Sequence, residues 1–590
     1  MKGALRYLPA SWFGRLASLN YRQKNREPIV DWRHLIGSDL GRWASLIAAR
    51  NADAPAPSVL IPTMTGGHRV LNAVESLLAV ALALRGARPE ILLCDAVLPA
   101  CTECHFNRSA SSAQFAKAGP QEMLCSGCYP PARAMYDALG IKVHTLSSLL
   151  TLEDRHNAAQ LSGEADLSSV KQIAWSGIPV GEHAHAGVLR YFARGTLAGE
   201  PGEERIRRRY LEASYLTAFA LDRLFKTRRF RSVAFNHGIY VPQGIVGAAA
   251  RMNSVRLSNW VIAYRKGCFI FSHGNSYHHT MISEPVSAWE NMVWGPAQSA
   301  HIDAYLRSRW TGTVDWITFQ SKGGAAELTE IEQALGIDFA KPTIGLLTNV
   351  FWDAQLHFHA NVFDNMRDWI VETIRYFEAR SDLQLLIRIH PAELKGAIVS
   401  RQGMLEEIYA AFPQLPSNVF VIGPESGINT YAAMQGCDSA IIYGTKTGVE
   451  LTSMGIPVIV AGEAWIRGKG IAIDATSRAQ YREVLDSLPL RRRMEPEKVE
   501  RARRYAFHFF FRRMIPLGMV ESVPGHDPPF RFVISGLDDL LPGRDPGLDV
   551  ICDGILNGAP FIFREEERIA ALSPSGGGDK AGAVSREGVA

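Results

Sequence analysis

Short apolar runs alternate with helix-like patterns along this chain, most strictly in its second half. Thr343-Ile-Gly-Leu-Leu-Thr, Gln384-Leu-Leu-Ile-Arg, Val419-Phe-Val-Ile, Ser439-Ala-Ile-Ile-Tyr and Val458-Ile-Val read as buried strands. Helical patterns at about 363–379, 404–412, 428–434 and 448–454 separate them. Parallel neighbours need a long crossover, usually a helix, so this order dictates a parallel sheet covered on both faces. The first half repeats the rhythm less cleanly. Val59-Leu-Ile-Pro leads through Thr65-Gly-Gly-His68 into a helix at about 70–85 and on to Ile91-Leu-Leu-Cys. Ser232-Val-Ala-Phe-Asn, a helix at about 243–251 and Trp260-Val-Ile-Ala follow. The expected fold is α/β, with two Rossmann-like doubly wound domains and a ligand cleft at the carboxyl ends of their strands.

The expected boundaries are a helical N-terminal extension at 1–55, a first domain at 56–330 with a cysteine-bearing loop at 95–130, and a second domain at 340–490. A helical C-terminal extension at 491–572 and a tail at 573–590 follow. The domain boundary is expected between 320 and 340, at Ser321-Lys-Gly-Gly. The tail, rich in Ser, Gly and Ala, has too few apolar residues to bury and is expected to be disordered. No repeat at solenoid or propeller period is present.

Composition excludes several classes. With 590 residues, 47% hydrophobic and 21% charged, the chain is neither disordered, nor collagen-like, nor a small disulfide scaffold. A net charge of +4, from 63 basic and 59 acidic side chains, argues against nucleic acid as a partner. The longest apolar run, 77–84, is far shorter than the roughly 20 residues of a membrane span. The start, Met-Lys-Gly-Ala-Leu-Arg-Tyr-Leu-Pro, lacks a signal-peptide core. A cytoplasmic location is expected, free or peripheral at the inner membrane. Residues 491–513 interleave basic side chains with Tyr505, Phe507, Phe509, Phe510 and Phe511. Such a stretch suits a membrane surface or a strut packed back onto the domains. The crowding of its aromatics, with Pro516 close behind, favours the strut.

Polar groups at strand ends are the candidates for chemistry. Arg388 offers a planar fork for phosphate, and His390, aimed by Pro391, can donate to a phosphate oxygen. The loop Tyr443-Gly-Thr445-Lys446-Thr447-Gly-Val-Glu450 joins a strand to a helix. Its amides and hydroxyls suit an anion, and Lys446 adds a point charge. It is not a P-loop. Glu450 is placed to accept from ribose hydroxyls. Asn349 and Asp353 follow the first strand of the same half and face the same crevice, with Trp352 available to stack on a base or sugar. A polar side chain at a strand end can also serve as a general base. His237, between a strand and Gly238, is the first candidate; His68 and Asp95, also at strand ends, are the others. His273, His278 and His279 could line an acceptor pocket.

The strongest local signal is Cys101-x-x-Cys104, a 20-residue interval, then Cys125-x-x-Cys128. That spacing fits a structural zinc held by four thiolates, with an iron–sulfur cluster as the alternative. The intervening segment has too little apolar content to fold alone, which a metal clamp would explain.

The stretch Gly444-Thr-Lys-Thr-Gly-Val-Glu-Leu-Thr-Ser-Met-Gly-Ile-Pro-Val458 resembles the nucleotide-sugar motif of GT-B glycosyltransferases. Together with Arg388-Ile-His-Pro-Ala-Glu393 and Leu347-Thr-Asn-Val-Phe-Trp-Asp353, it makes the second half resemble bacterial capsule polysaccharide biosynthesis proteins, GT-B enzymes related to the capsule Kdo transferases. A His-Pro pair also marks the donor site of several bacterial sialyltransferases, whose paired serines are Thr-Lys-Thr here. The resemblance implies transfer of a sugar from a nucleotide-sugar donor to a surface polysaccharide, capsule or O-antigen-like, or its lipid-linked precursor. It implies a donor held by Arg388, His390, Thr445, Lys446, Thr447, Glu450, Asn349 and Asp353. The rival readings are a sugar-nucleotide epimerase of the same fold and a metal-centred regulator or scaffold of polysaccharide synthesis.

Overall fold

A computed structural model describes residues 16, 19–26, 29–53, 55–109, 111–121, 124–312, 314–316, 327–490 and 493–572. Two largely parallel sheets organise them. The first has seven strands in the order β13-β6-β5-β4-β1-β2-β3. These are β1 (Ser58–Met64), β2 (Arg88–Leu93), β3 (Lys142–Thr145), β4 (Ser232–Asn236), β5 (Arg256–Ile262), β6 (Cys268–His273) and, from far along the chain, β13 (Met514–Pro516). The first five are parallel; β6 and β13 each pair antiparallel to the strand before them in the sheet. The second sheet is parallel throughout, in the order β12-β11-β10-β7-β8-β9. It comprises β7 (Thr343–Leu347), β8 (Gln384–Arg388), β9 (Val419–Ile422), β10 (Ser439–Ile442), β11 (Val458–Val460) and β12 (Ile473–Asp474). The mixed α/β class read from the sequence therefore holds.

The elements form where the apolar pattern demands them. β7, β8 and β10 are buried along their whole length, as strands covered on both faces must be. The helix Arg69–Leu84 is buried from Leu71 to Ala83, because it lies between the first sheet and the helices Leu40–Ala52 and Pro546–Asn557. A helix apolar on all sides needs such a place.

The C-terminal extension, expected to be helical, carries strands among its helices. It carries the helix Pro496–Phe507 and then β13, which completes the edge of the first sheet, and a hairpin at Val520–Ser522 and Phe530–Phe532. Met514 and Ile515 are fully buried beside β6, so an apolar edge decides where the chain goes. The basic aromatic stretch just before β13 is interior. Phe507, Phe509 and Phe510 are buried, and His508 meets Glu284 at 2.8 Å. Arg513 donates to the Phe561 carbonyl at 2.8 Å and to Ser272 at 2.8 Å. That is the strut. Among the described residues no helix is long and apolar enough to cross a membrane. The expected domain boundary at 321–324 and the tail 573–590 lie outside the described residues.

One buried acid reports on the first sheet. Burial pushes the Glu75 carboxyl up to about 8, although Trp260 Nε1 donates to it at 3.1 Å. The folded chain thus holds a proton there that the unfolded chain gives up near pH 4.5. Stability conferred by that proton is fully present below pH 4.5 and is lost as pH rises through about 8. Glu75→Gln should unfold at nearly the native urea concentration at pH 4.5 and at a distinctly higher one at pH 9. Equal midpoints at both pH values would show that Glu75 is not protonated in the fold.

Candidate active site

Each sheet has a switch point. In the second, the chain runs from β7 outward to β8 and β9, then returns to the other side of β7 to lay down β10, β11 and β12. The loops after β7 and β10 must diverge, and a crevice opens between them. Asn349 Oδ1 spans its floor by accepting the Gly444 N–H at 3.3 Å. Above it is a cavity of about 370 Å³. The second domain contributes Asn349, Asp353, Arg388, His390, Gly444, Thr445, Lys446, Thr447, Glu463 and Trp465. The first contributes Tyr264, Tyr277, His278 and Arg309.

Arg388 is anchored at the end of β8: its guanidinium donates to Thr430 Oγ1 at 3.2 Å and to the carbonyls of Gly423 and Ser426. His390 Nδ1 accepts the Ala392 N–H at 3.1 Å. Burial, then the charges of Lys446 and Arg388, push its imidazole down to about 4. The neutral ring therefore carries its proton on Nε2, as a donor for an anion's oxygen. The helix that Lys446 precedes, Thr447–Ser453, has only seven residues, so charged side chains supply most of the cationic character here.

Glu450 does not face the cavity. It is 1% exposed and accepts from Lys446 Nζ at 2.5 Å and from the Tyr431 hydroxyl at 2.7 Å. Arg309 Nε stands against it as a close charge contact without an aligned hydrogen bond. Burial opposes its ionisation, but Arg309 and then Lys446 hold it below the usual carboxylate range. With its oxygens so engaged, Glu450 positions two cations and has no opening toward a ribose. Arg309 ends the helix Pro296–Arg309 and also pairs with buried Asp315. It was invisible in the sequence because its partners lie in other elements. Trp352, expected to stack on a ligand, instead packs with Ala193 and Ile398 and donates to Ser400 Oγ at 3.1 Å. Trp465 lines the cavity in its place, stacked on His278 with centroids 5.9 Å apart.

Asp353 is held by the Tyr240 hydroxyl at 2.6 Å, and the same hydroxyl accepts the Ala354 N–H at 3.0 Å. His237 stacks on Tyr240, with centroids 5.4 Å apart, and lies one layer behind the cavity wall. His237 and Ala354 both adopt positive φ, +64° and +55°. Such strain in non-glycine residues clusters at functional sites, and these two flank one hydrogen bond. Burial pushes the His237 imidazole down to about 4, against the pull of Asp353. The other expected bases are committed elsewhere. His68 caps the helix Arg69–Leu84 through Leu71 N–H at 3.2 Å, and Asp95 is taken by Ser147, whose N–H donates at 3.0 Å. Of the histidine triplet, only His278 lines the cavity; His273 donates toward the Ala559 carbonyl, and His279 stacks on His357 with centroids 4.0 Å apart.

The four paired cysteines stand apart, beside the switch point of the first sheet. Among the described residues no three His, Cys, Asp or Glu side chains form a set that could hold a metal ion. The clamp expected from the spacing is therefore not preformed, and only Cys101 and Cys104 stand close together, with sulfurs 3.8 Å apart.

No family model matches the chain, and no curated protein does. Solved structures give faint likenesses. KpsC β-Kdo 2,4 transferase of Thermosulfurimonas dismutans is 13% identical, with 53% of this chain and 87% of that one covered and a TM-score of 0.32. The UDP-GlcNAc 2-epimerase of Methanocaldococcus jannaschii is 12% identical over 76% and 97%, at 0.26. The spinosyn rhamnosyltransferase SpnG is 11% identical over 76% and 96%, at 0.21. Likenesses this slight decide neither family nor activity.

Because Arg309 and Glu450 are both buried, removing one partner strands the other charge. Arg309→Ala should cost about 3–5 kcal/mol in urea unfolding. A loss below about 1 kcal/mol would show that Lys446 and Tyr431 alone satisfy Glu450.

Proposed function

We propose that this protein is a glycosyltransferase that moves a sugar from a nucleotide-sugar donor to an acceptor hydroxyl. We further propose that the acceptor belongs to a bacterial surface polysaccharide or its lipid-linked precursor, which rests on the sequence resemblance. The observation that carries the first statement is the convergence of Arg309, Arg388 and Lys446, with the Nε2–H of His390, on one interdomain cavity at a switch point. A diphosphate is the ligand that such donors suit.

Transfer breaks the bond from the anomeric carbon to the diphosphate oxygen and forms one to the acceptor oxygen. Negative charge builds on the leaving oxygen, where fixed cations stabilise it without reorganising. Asp353 is the best-placed group to take the acceptor's proton, since it lines the cavity and Tyr240 fixes its orientation. Glu463, the other carboxylate on the wall, is engaged by the Ala360 N–H. The aromatic side, Tyr264, Tyr277 and Trp465, suits a base or sugar ring.

A thermal-shift panel of UDP-, GDP-, CMP- and dTDP-sugars tests this reading. One donor should raise the melting temperature, Lys446→Ala should remove the shift, and Asp353→Asn should keep the shift while losing transfer. Stabilisation by none of them would overturn the donor site. Turnover of the donor without any acceptor would point to an epimerase.

Affinity should also depend on pH. Burial, then Arg309, push Lys446 down to about 8, against the pull of Glu450. The unfolded chain holds this proton to about 10.5, so the folded protein loses the charge first and gains stability between about pH 8 and 10.5. Donor binding, which needs the charge, moves the other way. At pH 9 about a tenth of Lys446 remains protonated, so the donor Kd should be roughly tenfold weaker than at pH 7. A flat profile from pH 7 to 9 would remove Lys446 from the donor contact.

A further inference from the structure

The two Cys-x-x-Cys turns take no part in the cavity. We propose that Cys101, Cys104, Cys125 and Cys128 close on one zinc ion, a structural site that fastens the loop 95–130 to the strand-end loop at 65–68. The first turn already has the right geometry. Two thiolates bound about 2.3 Å from a tetrahedral zinc stand about 3.8 Å apart, and the sulfurs of Cys101 and Cys104 are 3.8 Å apart. The Cys104 N–H donates to the Cys101 carbonyl at 2.9 Å, so one tight turn presents both sulfurs. The turn is braced from behind: the Tyr210 hydroxyl donates to the carbonyls of Cys101 at 3.2 Å and Cys104 at 3.1 Å, and Arg190 donates to that of Thr102.

The second turn repeats the pattern, with the Cys128 N–H donating to the Cys125 carbonyl at 3.1 Å. Cys128 Sγ also accepts the Gly67 N–H at 3.1 Å. Gly67 borders the second turn. A Cβ there would fall 1.5 Å from the Tyr21 hydroxyl oxygen and 3.5 Å from Cys128 Sγ. That same hydroxyl donates to Glu103, inside the first turn, at 3.3 Å. Gly67 thus leaves room for the Tyr21 hydroxyl beside Cys128. Closing the tetrahedron requires the turn Cys125–Gly127, which has no side-chain cap, to shift toward the first pair. The site has a mechanical consequence. The loop it would fix carries Phe106, and Arg401 of the second domain lies over that ring at 3.7 Å. A [4Fe–4S] cluster fits the first pair less well, because each of its cysteines binds a different iron and they stand farther apart.

The full chain, purified under reducing conditions without chelator, tests the proposal by elemental analysis. About one zinc per chain in a colourless protein is expected. Cys104→Ser and Cys128→Ser should each retain under a tenth of it, and Cys94→Ser should retain all of it. Should the serine variants fail to fold, cobalt(II) exchanged into the native chain gives the readout: intense visible bands of a tetrahedral thiolate site are expected. Brown protein with iron and sulfide would overturn zinc. So would metal-free, well-folded protein whose melting temperature zinc does not raise, or a metal-free chain lighter by two hydrogens, with Cys101 and Cys104 joined as a disulfide.

Discussion

The interaction on which the cleft depends is the buried group of Arg309, Lys446 and Glu450. It joins a helix of the first domain to the strand-end loop of the second, so one carboxylate fixes both the floor and a wall of the cavity. Burial makes the arrangement unforgiving. Each charge is tolerable only with its partners in place, and Asp315 and Tyr431 complete the set. Lys446, which lies over the Tyr264 ring at 4.8 Å, is pushed toward neutrality by burial and by the charge of Arg309. A site built this way keeps its cations aimed without ligand, which is the economy of preorganisation.

The second constraint is the returning chain. After leaving the second sheet it crosses as the helix Pro496–Phe507 and ends as a strand of the first. The aromatic side chains of this crossing pack on one another and on Trp465, while its arginines turn inward to carbonyls and to Glu284 and Glu566. A composition that resembles a lipid-binding helix becomes an internal brace because its aromatic side chains are buried and Arg512 and Arg513 pair with Glu566 and Glu284 inside the fold. The same brace backs Trp465, and so reaches the cavity wall.

Much of the candidate site was legible because strand ends are legible. An apolar run that stops at Arg388-Ile-His-Pro or Tyr443-Gly-Thr-Lys announces a polar group at a carboxyl edge, and in an α/β fold that edge is the crevice. Arg388, His390, Thr445, Lys446, Thr447, Asn349 and Asp353 all line the cavity. What failed was the reading of direction within a loop. Trp352 and Asp353 are adjacent, yet one packs inward and the other faces the cavity. Glu450 looked like a ribose contact because it lies about one turn into the helix that follows the anion-binding loop, and it faces Arg309 instead.

The sequence by itself determined the two alternating α/β units, the strand-end residues and the paired cysteines, since each follows from local periodicity and spacing. Only the tertiary structure decided which strand-end groups meet. Arg309, Tyr240, Tyr431 and His278 come from elements that no spacing rule connects to the loop at 443–450, and the hydrogen bond from Tyr240 to Asp353 spans 113 residues. The sheet orders, with β1 beside β4 and β7 beside β10, bring them together. That choice belongs to the packing of two whole sheets and a returning chain, an interaction too distant along the sequence to leave a local trace.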